Sequence, residues 1–232
     1  MTRLSAGDRA AAWFVLGLAG YSVLRAVVVP GPYHPVLNAG VGIALLAGAS
    51  LRGMTPVEVG TTRNRAVPGL RLGLGAGLGI ATALGLLAAL PATTRFFDDN
   101  RADVTLGGLL VEILVVIPLG TVLLEEIAFR GILLGLLGRS RDVRSAVLLS
   151  ALAFGFWHIP PTLSSINGNA ATSGSSVVAA VGLVAGAGAA MMSAGAFLAY
   201  LRTRSGSLIA PIAVHTVTNV SAFTAAWFVV RH

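Results

Sequence analysis

The chain contains no cysteine, which removes disulfides, thiolate zinc sites and cysteine nucleophiles together. It contains no lysine either, so its positive charge, a formal net +7, comes from arginine alone. Those arginines are spread over several loops and do not gather into the single basic face that nucleic-acid binding needs. Charge of either sign is scarce, at 11% of residues against 55% hydrophobic, with a mean hydropathy of +0.84. A soluble domain carries about a quarter charged residues, so that class is excluded and the composition is that of a membrane protein. Also missing is any compositional break that would mark a linker or a soluble appendage.

What is present is a series of apolar runs, near 11–29, 35–51, 68–92, 106–123, 145–160, 176–200 and 207–230. Each approaches the roughly 20 residues that cross a bilayer as a helix. The expected fold is therefore an all-α, polytopic transmembrane helix bundle with seven spans, or eight. The extra span depends on the run 106–137, which as one helix exceeds roughly 45 Å and has to tilt, break or project. Pro118 and Gly120 are natural places for a break.

Arginine reports orientation. Arg3 and Arg9, then Arg52, Arg63, Arg65 and Arg71, then Arg139, Arg141 and Arg144, then Arg202 and Arg204 fall in loops that seven spans put on one side. The positive-inside rule makes that side, and the N-terminus, cytoplasmic. The opposite loops are uncharged around Gly31–Pro35 and Ser164–Ser175 and net acidic around Arg95–Asp103. The first apolar run lacks a clear small-x-small cleavage site and reads as a span, not a signal peptide. Arginine-only basicity with much alanine and glycine is the bias of a GC-rich bacterial genome, which would place the protein in a bacterial cell membrane.

The glycine-rich stretch Gly69–Gly79 lacks the lysine of a phosphate-binding loop and any preceding strand. Its pairs Gly73/Gly77 and Gly75/Gly79, like Gly182/Gly186, instead have the spacing that lets transmembrane helices approach closely.

The chemistry lies in polar residues set inside apolar runs, where each ionised group costs several kcal/mol. Glu125 and Glu126 occur together with Arg130 behind them, and later runs carry His158 and the pair His215/Asn219. Glu126/Arg130, Phe154/His158 and His215/Asn219 are each four apart, so each pair shares a helix face. Glu125 precedes Arg139 by 14 positions and His158 follows Arg144 by 14, so both sit about 21 Å from the turn between them. His215 and Asn219 lie about 16 and 22 Å from Arg204 by the same count. All four can share one depth. Two adjacent carboxylates cannot both ionise cheaply, and Arg130 compensates one of them. With Arg130 assigned to Glu126, Glu125 is left to accept a proton. A carboxylate and an imidazole at one depth can polarise a water, while a second histidine with an asparagine supplies donors to an attacked carbonyl oxygen. These are the parts of peptide hydrolysis.

Three motifs carry a family resemblance. Glu125-Glu126-Ile-Ala-Phe-Arg130, Phe154-Gly-Phe-Trp-His158 and His215-Thr-Val-Thr-Asn219 resemble the EExxxR, FxxxH and HxxxN motifs of the CAAX protease and bacteriocin-processing family of intramembrane endopeptidases, which includes the type II CAAX prenyl endopeptidases. The run Gly206–Pro211 is similar too, and the resemblance covers about Leu106 to Ser221. It divides the chain into N-terminal transmembrane helices, 1–105, and a catalytic helix bundle, 106–232, integral with the first part as one membrane domain. It implies a glutamate-dependent protease in which Glu125 and His158 activate water, His215 and Asn219 form the oxyanion site, and Glu126 and Arg130 support them. Implied substrates are membrane-associated peptides or prenylated proteins, with membrane lipid as the other partner and no nucleic acid.

Among the aromatics Phe154, Phe156 and Trp157, only Phe154 is taken as a substrate contact; the others read as packing. Glu112 lies on nearly the same helix face as Glu125 and is read as sitting at the outer interface. His34 and His232 need no role beyond a solvated side chain. Other readings stay open: an ion pair that only fixes helix packing, which leaves both histidines unexplained; a zinc site, although HExxH is absent; a scaffold or bacteriocin self-immunity protein; and a proton-coupled transporter, although no internal repeat of the motif is visible. No cofactor is expected, with zinc the possible exception.

Overall fold

A computed structural model describes residues 5–165, 169 and 172–232. Arg3 and the middle of the Ser164–Ser175 loop therefore lie outside the described residues. Among the described residues there are no strands; helices account for nearly everything. We number them α1 (Ala6–Val28), α2 (His34–Leu51), α3 (Pro56–Val59), α4 (Ala66–Ala89), α5 (Leu106–Gly138), α6 (Val143–Trp157), α7 (Ile159–Ser165), α8 (Val177–Ser205) and α9 (Ile209–Arg231). Six stretches, Gly31–Leu51, Pro56–Ala89, Leu106–Gly138, Val143–Leu163, Val177–Ser205 and Ile209–Arg231, are long and apolar enough to cross a membrane. The 23-residue α1 has the length, about 35 Å, for a further one. The outward faces are apolar, with Leu51, Val177 and Val178 more than four-fifths exposed, as suits side chains that meet lipid and not water.

The apolar run 106–137 does not break. α5 continues through Pro118 and Gly120 as one helix of 33 residues, because its turns widen into π-helical geometry at Glu112–Val116, Pro118–Val122 and Glu126–Leu133. Widened turns absorb a residue that cannot donate to the usual ladder, and they re-aim side chains where function needs it. The carbonyls that loosen there find side-chain donors. Asn38 donates its amide to the Gly120 carbonyl and accepts from the Tyr21 hydroxyl, which ties α1, α2 and α5 together in a buried chain. Ser150 of α6 donates to the Phe129 carbonyl at 2.9 Å.

Helix starts follow capping chemistry. Ser5, Thr55, Thr105, Asp142 and Ser176 each accept a backbone N–H in the first turn that follows them, which satisfies donors a helix leaves orphaned. At Gly60 and Gly206, φ values of 84° and 68° end helices in the left-handed region, where glycine carries no Cβ penalty.

The two ends of the bundle differ in charge. At one end Arg139 pairs with Glu58 at 2.6 Å, Arg141 with Asp8 at 2.9 Å, and the buried Arg202 donates to the carbonyls of Val57 and Glu58. The guanidinium of Arg141 holds the Asp8 carboxyl well below the usual carboxylate range. The arginine-rich loops thus share one side. At the other end Trp227 and Arg231 donate to the Val104 carbonyl, and Asn169 donates to Phe96. His34 is not a loop residue. It opens α2, and its Nε2 lies 2.8 Å from the Val29 carbonyl, to which it donates.

The glycine stripe that matters is Gly69, Gly73 and Gly77. A Cβ at Gly73 would stand 2.5 Å from the Ala210 carbonyl oxygen and 2.8 Å from Ala213 Cβ, and one at Gly77 would stand 3.0 Å from Val217. α4 therefore lies directly on α9 through glycine, and that contact sets where α9 holds His215. Gly75, Gly79, Gly182 and Gly186 face open space, so those pairs do not bring described helices together. Gly73→Leu is expected to destabilise the fold by about 1–3 kcal/mol through overpacking. Gly75→Leu, two positions away, should change stability by less than about 0.5 kcal/mol. Thermal unfolding of both variants in detergent checks the contrast; equal unfolding temperatures would contradict it.

Candidate active site

The largest fully buried side chains include Arg130 and Glu126, both 0% exposed, so the centre of this bundle is charged, not greasy. Burying an ion costs several kcal/mol, and three helices meet here to offset part of it, with Arg130 Nε and Nη2 and Glu126 Oε2 left without a hydrogen-bond partner among the described residues. α5 brings Glu125, Glu126 and Arg130; α6 brings Phe154, Trp157 and, at its end, His158; α9 brings His215. Arg130 Nη1 donates to Glu126 Oε1 at 3.0 Å, and the same oxygen lies 2.7 Å from His215 Nδ1. The Arg130 guanidinium also stacks over the Phe154 ring at 3.9 Å. Gly195 on α8 leaves the room for this stack, since a Cβ there would stand 3.1 Å from Phe154 and 3.4 Å from Arg130 Nη2.

Glu125 aims elsewhere. Its Oε1 accepts from Trp157 Nε1 at 3.0 Å, while its Oε2 lies 3.8 Å from His158 Nε2 and 3.9 Å from His215 Nε2. That oxygen is buried and has no hydrogen-bond partner among the described residues. The tautomers follow from the neighbours. His158 Nδ1 is 2.8 Å from the Phe154 carbonyl, which can only accept, so Nδ1 carries a proton and, in the neutral ring, Nε2 presents its lone pair toward Glu125. His215 Nδ1 faces the Glu126 carboxylate and likewise donates, which leaves Nε2 turned to the same point. One carboxylate oxygen and two imidazole nitrogens therefore converge on one small space.

Phe154, expected to touch substrate, is only 1% exposed. Its ring packs against Arg130, Phe129 at 5.3 Å and His158 at 4.3 Å, so it supports the charged cluster. Asn219 stands one turn beyond His215 on α9. No hydrogen bond joins it to the cluster among the described residues; it lines a cavity of about 540 Å³ together with Glu112. Glu112 is half-buried on the wall of that cavity, on the side of the loop that carries Asp99 and Arg101. Trp157 is the residue that sequence reasoning passed over as packing. The available signal was its indole N–H, which must find an acceptor wherever the ring is buried.

Residues 107–221 match the family described as type II CAAX prenyl endopeptidase, Rce1-like. Over this segment the chain is similar to that family. No curated protein and no solved structure matches it. The Rce1-like segment begins on α5 and ends on α9, so it contains every member of the charged cluster, while α1, α2 and α4 pack around it from outside. The match implies a membrane protease by family, with a peptide or prenylated protein in the membrane as the kind of substrate. What the cluster adds is a particular set of atoms able to do that work.

Proposed function

We propose that this chain is an intramembrane endopeptidase in which Glu125 and His158 activate a water molecule for attack on a peptide carbonyl. The observation that carries the reading is the gap of 3.8 and 3.9 Å between Glu125 Oε2 and the two Nε2 atoms. These separations are too long for direct hydrogen bonds. They are the span that one water bridges with two bonds of about 2.8 Å each. Glu125 takes the proton of that water as the oxygen attacks, with His158 Nε2 accepting its second hydrogen bond. Trp157 holds Glu125 Oε1 and so fixes which oxygen faces the water.

His215 and Asn219 are assigned to the carbonyl oxygen as negative charge builds on it. Because Nδ1 of His215 donates to Glu126, its remaining donor is Nε2, which carries a proton when the ring is imidazolium. In that form Glu125, Glu126, Arg130 and His215 sum to zero charge, which is how a low-dielectric centre can hold four ionised groups. Glu126 and Arg130 are positioning residues for His215, and Phe154 is one for Arg130 and His158.

Zinc is the second reading, since a carboxylate and two imidazoles are suitable ligands by type. Among the described residues, however, no group of three such side chains is set to hold a metal ion. The metal-free mechanism is the reading we favour. In the bilayer we place the arginine-rich end, N-terminus included, on the cytoplasmic side by the positive-inside rule, and the bacterial cell membrane is our reading of the arginine-only composition.

The test is mass spectrometry of purified protein with a prenylated CAAX peptide, its unprenylated twin and a mixed peptide pool, each with and without chelator. Cleavage that survives chelation is expected. Loss of cleavage with rescue by zinc would replace the mechanism, and no cleavage of any peptide by well-folded protein would move the reading to a scaffold, an immunity protein or a transporter.

A further inference from the structure

The cavity beyond His215 holds a charge that the proposed chemistry does not use. It is lined on α9 by Asn219, Ala222, Phe223 and Ala226, which follow His215 by 4, 7, 8 and 11 positions and so continue the same helix face outward. Its opposite wall includes Ile117 and Glu112 of α5, about 12 and 20 Å along the helix from Glu125. The outer loop closes it with Asp99 and Arg101, which pair at 2.6 Å. Although burial opposes the charge on Asp99, hydrogen bonds from Arg101 hold its carboxyl below the usual range, so those two charges cancel. Glu112 is different. It has no hydrogen bond or ion pair among the described residues, although it sits half-buried in a helix that crosses the membrane. A carboxylate without a partner on a cavity wall is electrostatically complementary to a cationic group.

We infer that this cavity receives the flanking part of the peptide substrate and that Glu112 binds a lysine or arginine side chain on it, about six residues from the bond that is cut. The distance follows from about 20 Å of helix divided by about 3.3 Å per residue of extended peptide. The inference rests on the proteolytic reading above and names the substrate feature that the same site selects.

Binding separates the two claims because it needs no turnover. Full-length Glu125→Gln protein in nanodiscs is titrated with labelled peptides that differ only in lysine or norleucine six residues from the bond, on either side of it. Lysine peptide on one side is expected to bind about tenfold more tightly, the strength of one charge-assisted hydrogen bond. Adding Glu112→Gln should erase that preference while leaving the norleucine peptide's Kd unchanged, and adding Glu112→Lys should transfer the preference to a glutamate peptide. With Glu125 intact, the same tenfold should be read in KM with kcat unmoved. Equal binding of the two peptides overturns the inference, as does binding of neither, a preference that survives Glu112→Gln, or a Glu112→Gln change that weakens the norleucine peptide as much. A lysine preference in a protein that cuts no peptide would instead refute the proteolytic reading and leave Glu112 as a peptide-binding residue.

Discussion

Glu125→Gln is expected to lower peptide cleavage by about 10³-fold or more, since the variant keeps the shape of the side chain and loses its proton-accepting charge. The fold should survive. Glutamine keeps an oxygen at Oε1 to accept from Trp157 Nε1, which lies 3.0 Å away. Its amide replaces Oε2, a buried atom with no hydrogen-bond partner among the described residues, so no existing hydrogen bond is lost. The variant should therefore unfold at or above the wild-type temperature while failing in catalysis, a combination that simple misfolding cannot produce. Cleavage rates by mass spectrometry and thermal unfolding in the same detergent check both halves. Wild-type turnover by the variant would remove Glu125 from the mechanism.

The residues of the buried cluster were legible in the sequence for one physical reason. A charge or imidazole inside an apolar run is expensive enough that its presence alone is a signal, and helical spacing then says which of them share a face. Glu125, Glu126, Arg130, His158 and His215 meet in space because their depths along separate helices agree. Features that depend on a partner's surface were not legible. Nothing in α4 alone distinguishes Gly73/Gly77 from Gly75/Gly79; Ala210, Ala213 and Val217 on α9 make that choice. Pro118 reads as a break in any single-helix argument, but π-widened turns and the Asn38 amide on the Gly120 carbonyl carry α5 through it. Trp157 is missed because a lone tryptophan in an apolar helix is ordinary; its indole becomes informative only once Glu125 is seen opposite.

Glu126→Gln decides whether the buried cluster is a catalytic device or only an ion pair that locks helices together. Glu126 Oε1 takes hydrogen bonds from Arg130 at 3.0 Å and His215 at 2.7 Å, and both Glu126 and Arg130 are fully buried. Removing the charge strands the guanidinium against the Phe154 ring, 3.9 Å away, and breaking a buried pair in this way costs about 3–5 kcal/mol. Removing both partners is different, because apolar side chains of similar volume often replace a buried pair at little cost. Glu126→Leu with Arg130→Met is therefore expected to unfold at a higher temperature than Glu126→Gln alone. Activity should not return with stability, since His215 Nδ1 still lacks the carboxylate that orients its ring and balances its charge. A double variant that regained both would mean the pair serves packing alone, whereas a double variant that is stable and inactive places Glu126 in the chain of contacts leading from Arg130 through His215 to the water on Glu125.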